Sequence, residues 1–86
     1  MQIALKADSK DIRIFINGLL HLWLKRKDIV GIQSWVQNTT PEQKALGYNN
    51  SSTYMIEYTT TTNTVVTEYE SRGDWANILE LLNEKL

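Results

Sequence analysis

The residue best suited to acid–base or metal chemistry is the single histidine, His21. A metal site needs three or four converging ligands, and the chain offers no second histidine and no cysteine. Ser34 and Ser71 supply hydroxyls for a Ser-His-Asp arrangement, but no nucleophile motif surrounds either serine. We therefore interpret His21 as a structural residue of a strand, lying between leucines.

Carboxylates form the other group that could do chemistry. Glu57, Glu68 and Glu70 fall on one face of a predicted hairpin, whereas glycoside chemistry requires a cleft between paired carboxylates. The glycines are scattered singly, so no phosphate-binding loop is present. No motif identifies a protein family. We predict that the chain is not an enzyme, with no catalytic residues, no cofactor and no metal.

A basic run and several aromatic residues suggest a different activity. Lys25, Arg26 and Lys27 follow Trp23 after one leucine, and aromatic rings beside basic side chains can stack single-stranded nucleic acid. However, the pI of about 5.7 is far below that of a typical nucleic-acid domain. Weak binding of single strands is therefore the alternative prediction, and nucleic acid is not the favoured partner.

Composition limits the remaining classes. The 86 residues form one domain, and a formal net charge of −1 provides no global field for nucleic acid or an anionic membrane. No apolar run approaches the length of a membrane span. Cysteine is absent and the first residues lack a signal-peptide pattern, so we predict a cytoplasmic protein.

The first pair of strands is predicted by alternation around Asn17-Gly18, a strong hairpin signal. A two-residue turn there would mix aliphatic and polar faces, whereas a three-residue loop ending at Leu19 would not. That longer loop pairs Ile16 with Leu20 and Ile14 with Leu22 on the aliphatic face. On the other face it pairs Phe15 with His21, Arg13 with Trp23 and Asp11 with Lys25.

The second hairpin is predicted around the threonine-rich stretch that follows Tyr58, because threonine favours strands. A two-residue turn would oppose Glu57 and Glu68, whereas a four-residue loop from Thr60 to Asn63 would not. Between the hairpins, the polar loop 38–52 contains the only proline, Pro41, which suits the first position of a short helix.

The last segment has the spacing of an amphipathic helix, with Trp75, Ile78 and Leu82 on one face and a Ser71 N-cap. The predicted fold class is α+β: an antiparallel meander of about five strands, with the C-terminal helix packed on one sheet face. The predicted helix spans 72–85, and the candidate strands lie near 2–6, 11–17, 20–25, 29–37, 53–60 and 64–70.

The helix would leave the opposite sheet face exposed and aromatic. Contiguous apolar patches of this kind mark protein contacts, and interface hot spots are enriched in Trp and Arg. We therefore predict a non-enzymatic interaction or self-associating module, whose partner is a protein and could be a second copy. An alternative is that loop 38–52 covers the patch. The predicted interface residues are Arg13, Phe15, Trp23, Ile29 and Trp35.

Overall fold

A computed structural model of the protein describes residues 2–86 and contains two antiparallel sheets of three strands each. The first sheet consists of β1 (Ile3–Ala7), β2 (Asp11–Ile16) and β3 (Leu19–Lys25), in that order. The second consists of β4 (Ile29–Asn38), β5 (Ser52–Thr60) and β6 (Thr64–Tyr69). The α+β class and antiparallel pairing are as predicted, but the strands number six and do not form one sheet.

The sheets separate at a single 3-10 turn, Arg26–Asp28. Its two ends bond to different sheets: the Arg26 amide donates to the Lys10 carbonyl, and the Asp28 carbonyl accepts from the Thr61 amide. The turn therefore redirects the chain from the first sheet to the second instead of returning it beside β3. This geometry replaces the continuous meander that alternation alone predicted.

Helix α2 (Arg72–Lys85) closes the molecule and packs against β1, β5 and β6. Its N-cap is Ser71, whose hydroxyl accepts from the Asp74 amide, as the sequence predicts. The core joins the inner faces of both sheets to this helix, and burying such side chains contributes about 1.5–3 kcal/mol each. The buried core cluster comprises Ile12, Ile14, Ile56, Tyr58, Tyr69, Ile78 and Leu82.

The β2–β3 hairpin corrects the predicted register. Asn17 (φ 51°) and Gly18 (φ 80°) both adopt left-handed conformations, so Ile16 pairs with Leu19 across a tight two-residue turn. A bulge then adds His21 on β3, and from Ile14–Leu22 onward the pairs are those predicted. The predicted pairs Phe15–His21 and Ile16–Leu20 were wrong. The turn has two residues, and the bulge at His21 shifts the register by one, so that the aliphatic side chains still share the inner face.

The β5–β6 hairpin has the register of the predicted four-residue loop. Tyr58 pairs with Val65, Glu57 with Val66, and Met55 with Glu68. The Thr60 hydroxyl donates to the side-chain oxygen of Asn63 at 2.7 Å and to the Asn63 carbonyl at 2.8 Å. These contacts close the loop.

Strands β4 and β5 continue beyond the core as an arm, defined here as residues 33–52. All of its residues are exposed except Thr39, which is half-buried. The tip carries α1 (Pro41–Ala45), begun by a capping box between Thr40 and Gln43. The arm explains the elongated shape, whose radius of gyration is 14.6 Å, against about 12 Å for a compact domain of this length.

Candidate functional site

The outward face of the first sheet carries Trp23, whose ring is the most exposed aromatic side chain outside the arm. Arg13 pairs with Trp23 as predicted, and the tight turn places Leu20 opposite Phe15. Trp23 is 58% exposed and Leu20 53%, whereas Phe15 is half-buried. We call these four residues the β2–β3 outer face.

Basic side chains surround this face. The Lys6 ammonium lies 5.4 Å from the centroid of the Phe15 ring, within the range of a cation–π contact. At the other end, Trp23 lies in an open depression of about 470 Å³. The other residues lining that depression are Ser9, Lys10, Asp11, Lys25 and Lys27. An apolar ring within a cluster of ammonium groups suits an anionic ligand that also has apolar or aromatic parts.

The remaining predicted interface residues lie elsewhere. Ile29 is half-buried and packs against the core. Trp35 is on β4 of the second sheet, opposite Met55, and is 37% exposed. The structure thus brings Arg13, Phe15 and Trp23 together, and places Ile29 and Trp35 outside that group.

Loop 38–52 does not cover the β2–β3 outer face. It forms the tip of the arm, where Asn38 pairs with Ser52, and its residues other than Thr39 are exposed. Trp23 retains more than half of its surface in solvent. The alternative in which this loop buries the aromatic patch was therefore wrong.

The basic run divides between two roles. Lys25 and Lys27 are exposed and line the depression beside Trp23. Arg26 is half-buried, and its guanidinium donates to the Lys85 carbonyl in the last turn of α2. A cation at a helix C-terminus also interacts favourably with the helix dipole. Arg26 therefore joins the first sheet to the helix, and only the two lysines remain available to a ligand.

His21 also connects two parts of the fold. Its Nε2 lies 2.9 Å from the Tyr69 hydroxyl, which joins the β3 bulge of the first sheet to β6 of the second. Burial raises the pKa of Tyr69, so this hydroxyl stays protonated well above neutral pH. Among residues 2–86, no group of three or more His, Asp or Glu is placed to hold a metal ion. The contact between His21 and Tyr69 therefore links the two sheets at this point.

A shallow depression of about 340 Å³ lies beside the His21–Tyr69 pair. Its rim is acidic, yet the imidazole nitrogen that approaches Tyr69 is already engaged by that hydroxyl. The depression is open, and no carboxylate hydrogen-bonds to His21 in the part of the chain that the structure describes. The lining residues are Ile16, His21, Glu68, Tyr69, Glu70, Ser71 and Asp74.

Charge is strongly segregated between the two parts of the molecule. Residues 1–28, which include the first sheet, carry six basic and three acidic side chains. Residues 29–86, the second sheet and α2, carry three basic and seven acidic ones. The net charge of −1 therefore conceals a basic first sheet, and local charge decides which partners a surface attracts.

Three contributors to the surface, Lys6, Lys10 and Leu20, were absent from the sequence-based prediction. Leu20 was assigned to the inner face because the longer turn was preferred. The Asn17-Gly18 signal for a two-residue turn would have placed Leu20 opposite Phe15. Lys6 follows from the pairing of β1 with β2, which alternation does not specify, and Lys10 lies in the connection between these two strands.

Comparisons with protein-family models, with curated proteins and with solved structures find no match to this chain. Within residues 2–86, neither helix has the length and apolar character needed to cross a membrane.

Proposed function

We propose that the protein is a non-enzymatic interaction module whose β2–β3 outer face binds an acidic, partly apolar surface of another protein. The observation that carries the proposal is the exposure of Trp23 (58%) beside Leu20 (53%) on a face surrounded by basic side chains. Large aromatic residues left in solvent are typical of interface anchors. The absence of cysteine fits a reducing compartment, and we assign the module to the cytoplasm.

The charge around the anchor supports the choice of an acidic partner. Lys10, Lys25 and Lys27 lie around Trp23, and Lys6 lies over Phe15. Complementary carboxylates would raise the association rate and exclude basic partners, while the indole supplies most of the affinity. Arg13, half-buried and paired with Trp23 across the two strands, adds a further basic side chain to this face.

Binding of single-stranded nucleic acid is the second candidate, favoured by the same depression. Three lysines around an exposed indole resemble the combination of backbone charge and base stacking that such ligands use. Against it, Phe15 is half-buried and Arg26 is engaged with α2, so a single well-exposed ring remains. Successive bases need successive stacking surfaces, which favours the acidic protein partner.

Two fluorescein-labelled probes distinguish these candidates: a short peptide of alternating Glu and Leu, and a short oligothymidylate. Fluorescence anisotropy should show saturable binding of the peptide that weakens with salt. Trp23→Ala should weaken it about ten-fold or more, as expected for an interface anchor. Lys25→Glu should also weaken it, and the control Trp35→Phe, on the other sheet, should leave it unchanged.

Each other outcome has a definite meaning. Binding of the oligothymidylate alone, lost in Trp23→Ala, would establish the second candidate and reject the first. Failure of both probes to bind, or peptide binding that is equal in wild type and Trp23→Ala, would reject the β2–β3 outer face as the interaction surface.

A further inference from the structure

Two open three-stranded sheets leave four edge strands, and three of them carry features that prevent pairing with another chain. β1 is five residues long, includes Lys6 and packs against α2. β3 is interrupted by the His21 bulge and ends in Lys25. β6 is six residues long and carries Glu68. Short length, bulges and charge are the usual means of protecting an edge.

The fourth edge, β4, lacks these features over most of its length. It spans ten residues, IVGIQSWVQN, with no charged side chain and no proline. Its one irregularity falls between Ile29 and Gly31, so the seven residues Ile32–Asn38 pair with β5 in a regular register. From Gln33 to the end of the strand every residue is exposed. At about 3.3 Å per residue, this regular edge is roughly 23 Å long.

An edge of this kind selects its partner by backbone chemistry. One side of β4 pairs with β5, and no other strand within residues 2–86 pairs with it. The outer edge therefore presents unpaired amide and carbonyl groups, whose complement is another extended strand. Apart from Ile32, which packs against the core, this edge belongs to the exposed arm.

We propose that β4 pairs antiparallel with β4 of a second copy, which makes a dimer with a continuous six-stranded sheet. Two-fold symmetry places the same strand opposite itself, and a charged strand would then oppose like charges. β4 has no charge to oppose. Pairing centred on Trp35 sets Gln33 of each copy opposite Gln37 of the other, so that the two amides can hydrogen-bond.

The dimer is independent of the proposed function, because it uses the second sheet and leaves the β2–β3 outer face open. The two can therefore fail separately. Loss of the dimer in Trp23→Ala, with Ser34→Lys still dimeric, would show that the copies meet through the β2–β3 outer face instead. Loss in Ser34→Lys alone assigns the contact to β4.

The test measures mass against protein concentration by analytical ultracentrifugation for wild type, Ser34→Lys and Ser34→Glu. Ser34 is exposed on the regular edge, one residue from the two-fold axis at Trp35, so the charges introduced in the two copies lie diagonally across that axis on one face of the sheet. Each single variant should weaken the dimer about five-fold or more. An equimolar mixture of the two should recover the wild-type dissociation constant, because charges of opposite sign then lie diagonally across the axis.

Thr64→Lys is the matched control, since Thr64 is exposed on β6, the other edge of the same sheet. It should leave the dimer unchanged, and circular dichroism should show every variant folded. A wild-type protein that stays monomeric at its solubility limit overturns the proposal. Equal weakening by Ser34→Lys and Thr64→Lys, or no recovery in the mixture, also overturns it.

Discussion

The two sheets have the same number of strands and the same antiparallel pairing, yet they relate to the core differently. The first sheet contributes Ile12 and Ile14 to the core and presents a basic outer face. The second contributes Ile56 and Tyr58 at its base, and β4 and β5 then run into the exposed arm. One sheet is thus held along its length, and the other only at one end.

Because of this difference, a single strand of the second sheet has a buried end, which stabilises the fold, and an exposed end, which does not. β5 contains fully buried Ile56 and, four residues earlier, exposed Ser52. Burial of apolar area is the main favourable term in folding, so the base of the second sheet is expected to carry its stability. The arm is held by its own hairpin pairing and contributes mainly surface. The predictions below test this division, beginning with the largest expected effect.

Ile56→Ala should produce the largest loss of stability. Ile56 is 0% exposed at the junction of the second sheet with α2 and the first sheet. Removing its side chain leaves a cavity, which costs about 2–5 kcal/mol. Urea denaturation followed by circular dichroism measures the loss. Val36→Ala, in the arm and 43% exposed, is the matched control and should change stability by less than about 0.5 kcal/mol. Equal losses would contradict the division of the second sheet.

Arg26→Ala should weaken the contact between the Arg26–Asp28 turn and the C-terminal end of α2. The substitution removes the guanidinium that donates to the Lys85 carbonyl, together with the half-buried side-chain stem. We expect a loss of about 1–2 kcal/mol from the hydrogen bond and the packing. Lys25→Ala and Lys27→Ala, exposed neighbours in the same segment, should change the free energy of unfolding little. A loss from either control as large as that from Arg26→Ala would contradict the assigned roles.

Tyr58→Phe should raise stability by about 1 kcal/mol, because the buried Tyr58 hydroxyl has no hydrogen-bond partner among residues 2–86. Burial, and then the neighbouring Tyr69 hydroxyl, raises the pKa of Tyr58. The folded protein therefore resists ionisation of Tyr58. This resistance leaves the free energy of unfolding unchanged below the pKa of an unfolded tyrosine, about 10, and lowers it as pH rises above that value.

The alkaline loss of stability should therefore be smaller in Tyr58→Phe than in wild type. Urea unfolding at about pH 8 and about pH 11 measures both effects. Tyr48→Phe, at an exposed position on the arm, is the control and should resemble wild type at both values. An unchanged alkaline dependence in Tyr58→Phe would show that other groups cause it.

Shortening the arm should have the smallest effect. Replacing residues 39–51 with Asn-Gly joins Asn38 to Ser52, already a cross-strand pair, through a two-residue turn. The body loses no buried core residue, so stability should stay within about 0.5 kcal/mol of wild type. Differential scanning calorimetry measures the change. A loss comparable to that of Ile56→Ala would mean that the tip stabilises the body.

Much of the local structure could be predicted from the sequence, for identifiable reasons. The β5–β6 register followed from avoiding Glu57 opposite Glu68, and the structure has that pairing. Helix α2 followed from its apolar spacing and its Ser71 cap. Four of the six predicted β2–β3 pairs were right as well, because an aliphatic inner face requires Ile14 opposite Leu22.

The division into two sheets and the bulge at His21 could not be predicted, because both depend on pairing between strands that are far apart in the sequence. Alternation shows which residues share a face of one strand, but not which sheet the strand joins. It therefore placed Trp35 with Trp23, although the turn at Arg26–Asp28 sends them to different sheets. The bulge at His21 was missed because a single added residue is compatible with either turn length until the partner strand is known.

The segregation of charge also gives the molecule an electric dipole in addition to its net charge. A protein with a formal net charge of −1 would ordinarily be retained weakly by both kinds of ion exchanger. Here the basic first sheet can bind a cation exchanger while the acidic second sheet and α2 bind an anion exchanger. At low salt the protein should adsorb to both resins, in opposite orientations. Near a negatively charged surface the first sheet should face the surface, and near a positively charged one the second sheet and α2 should face it.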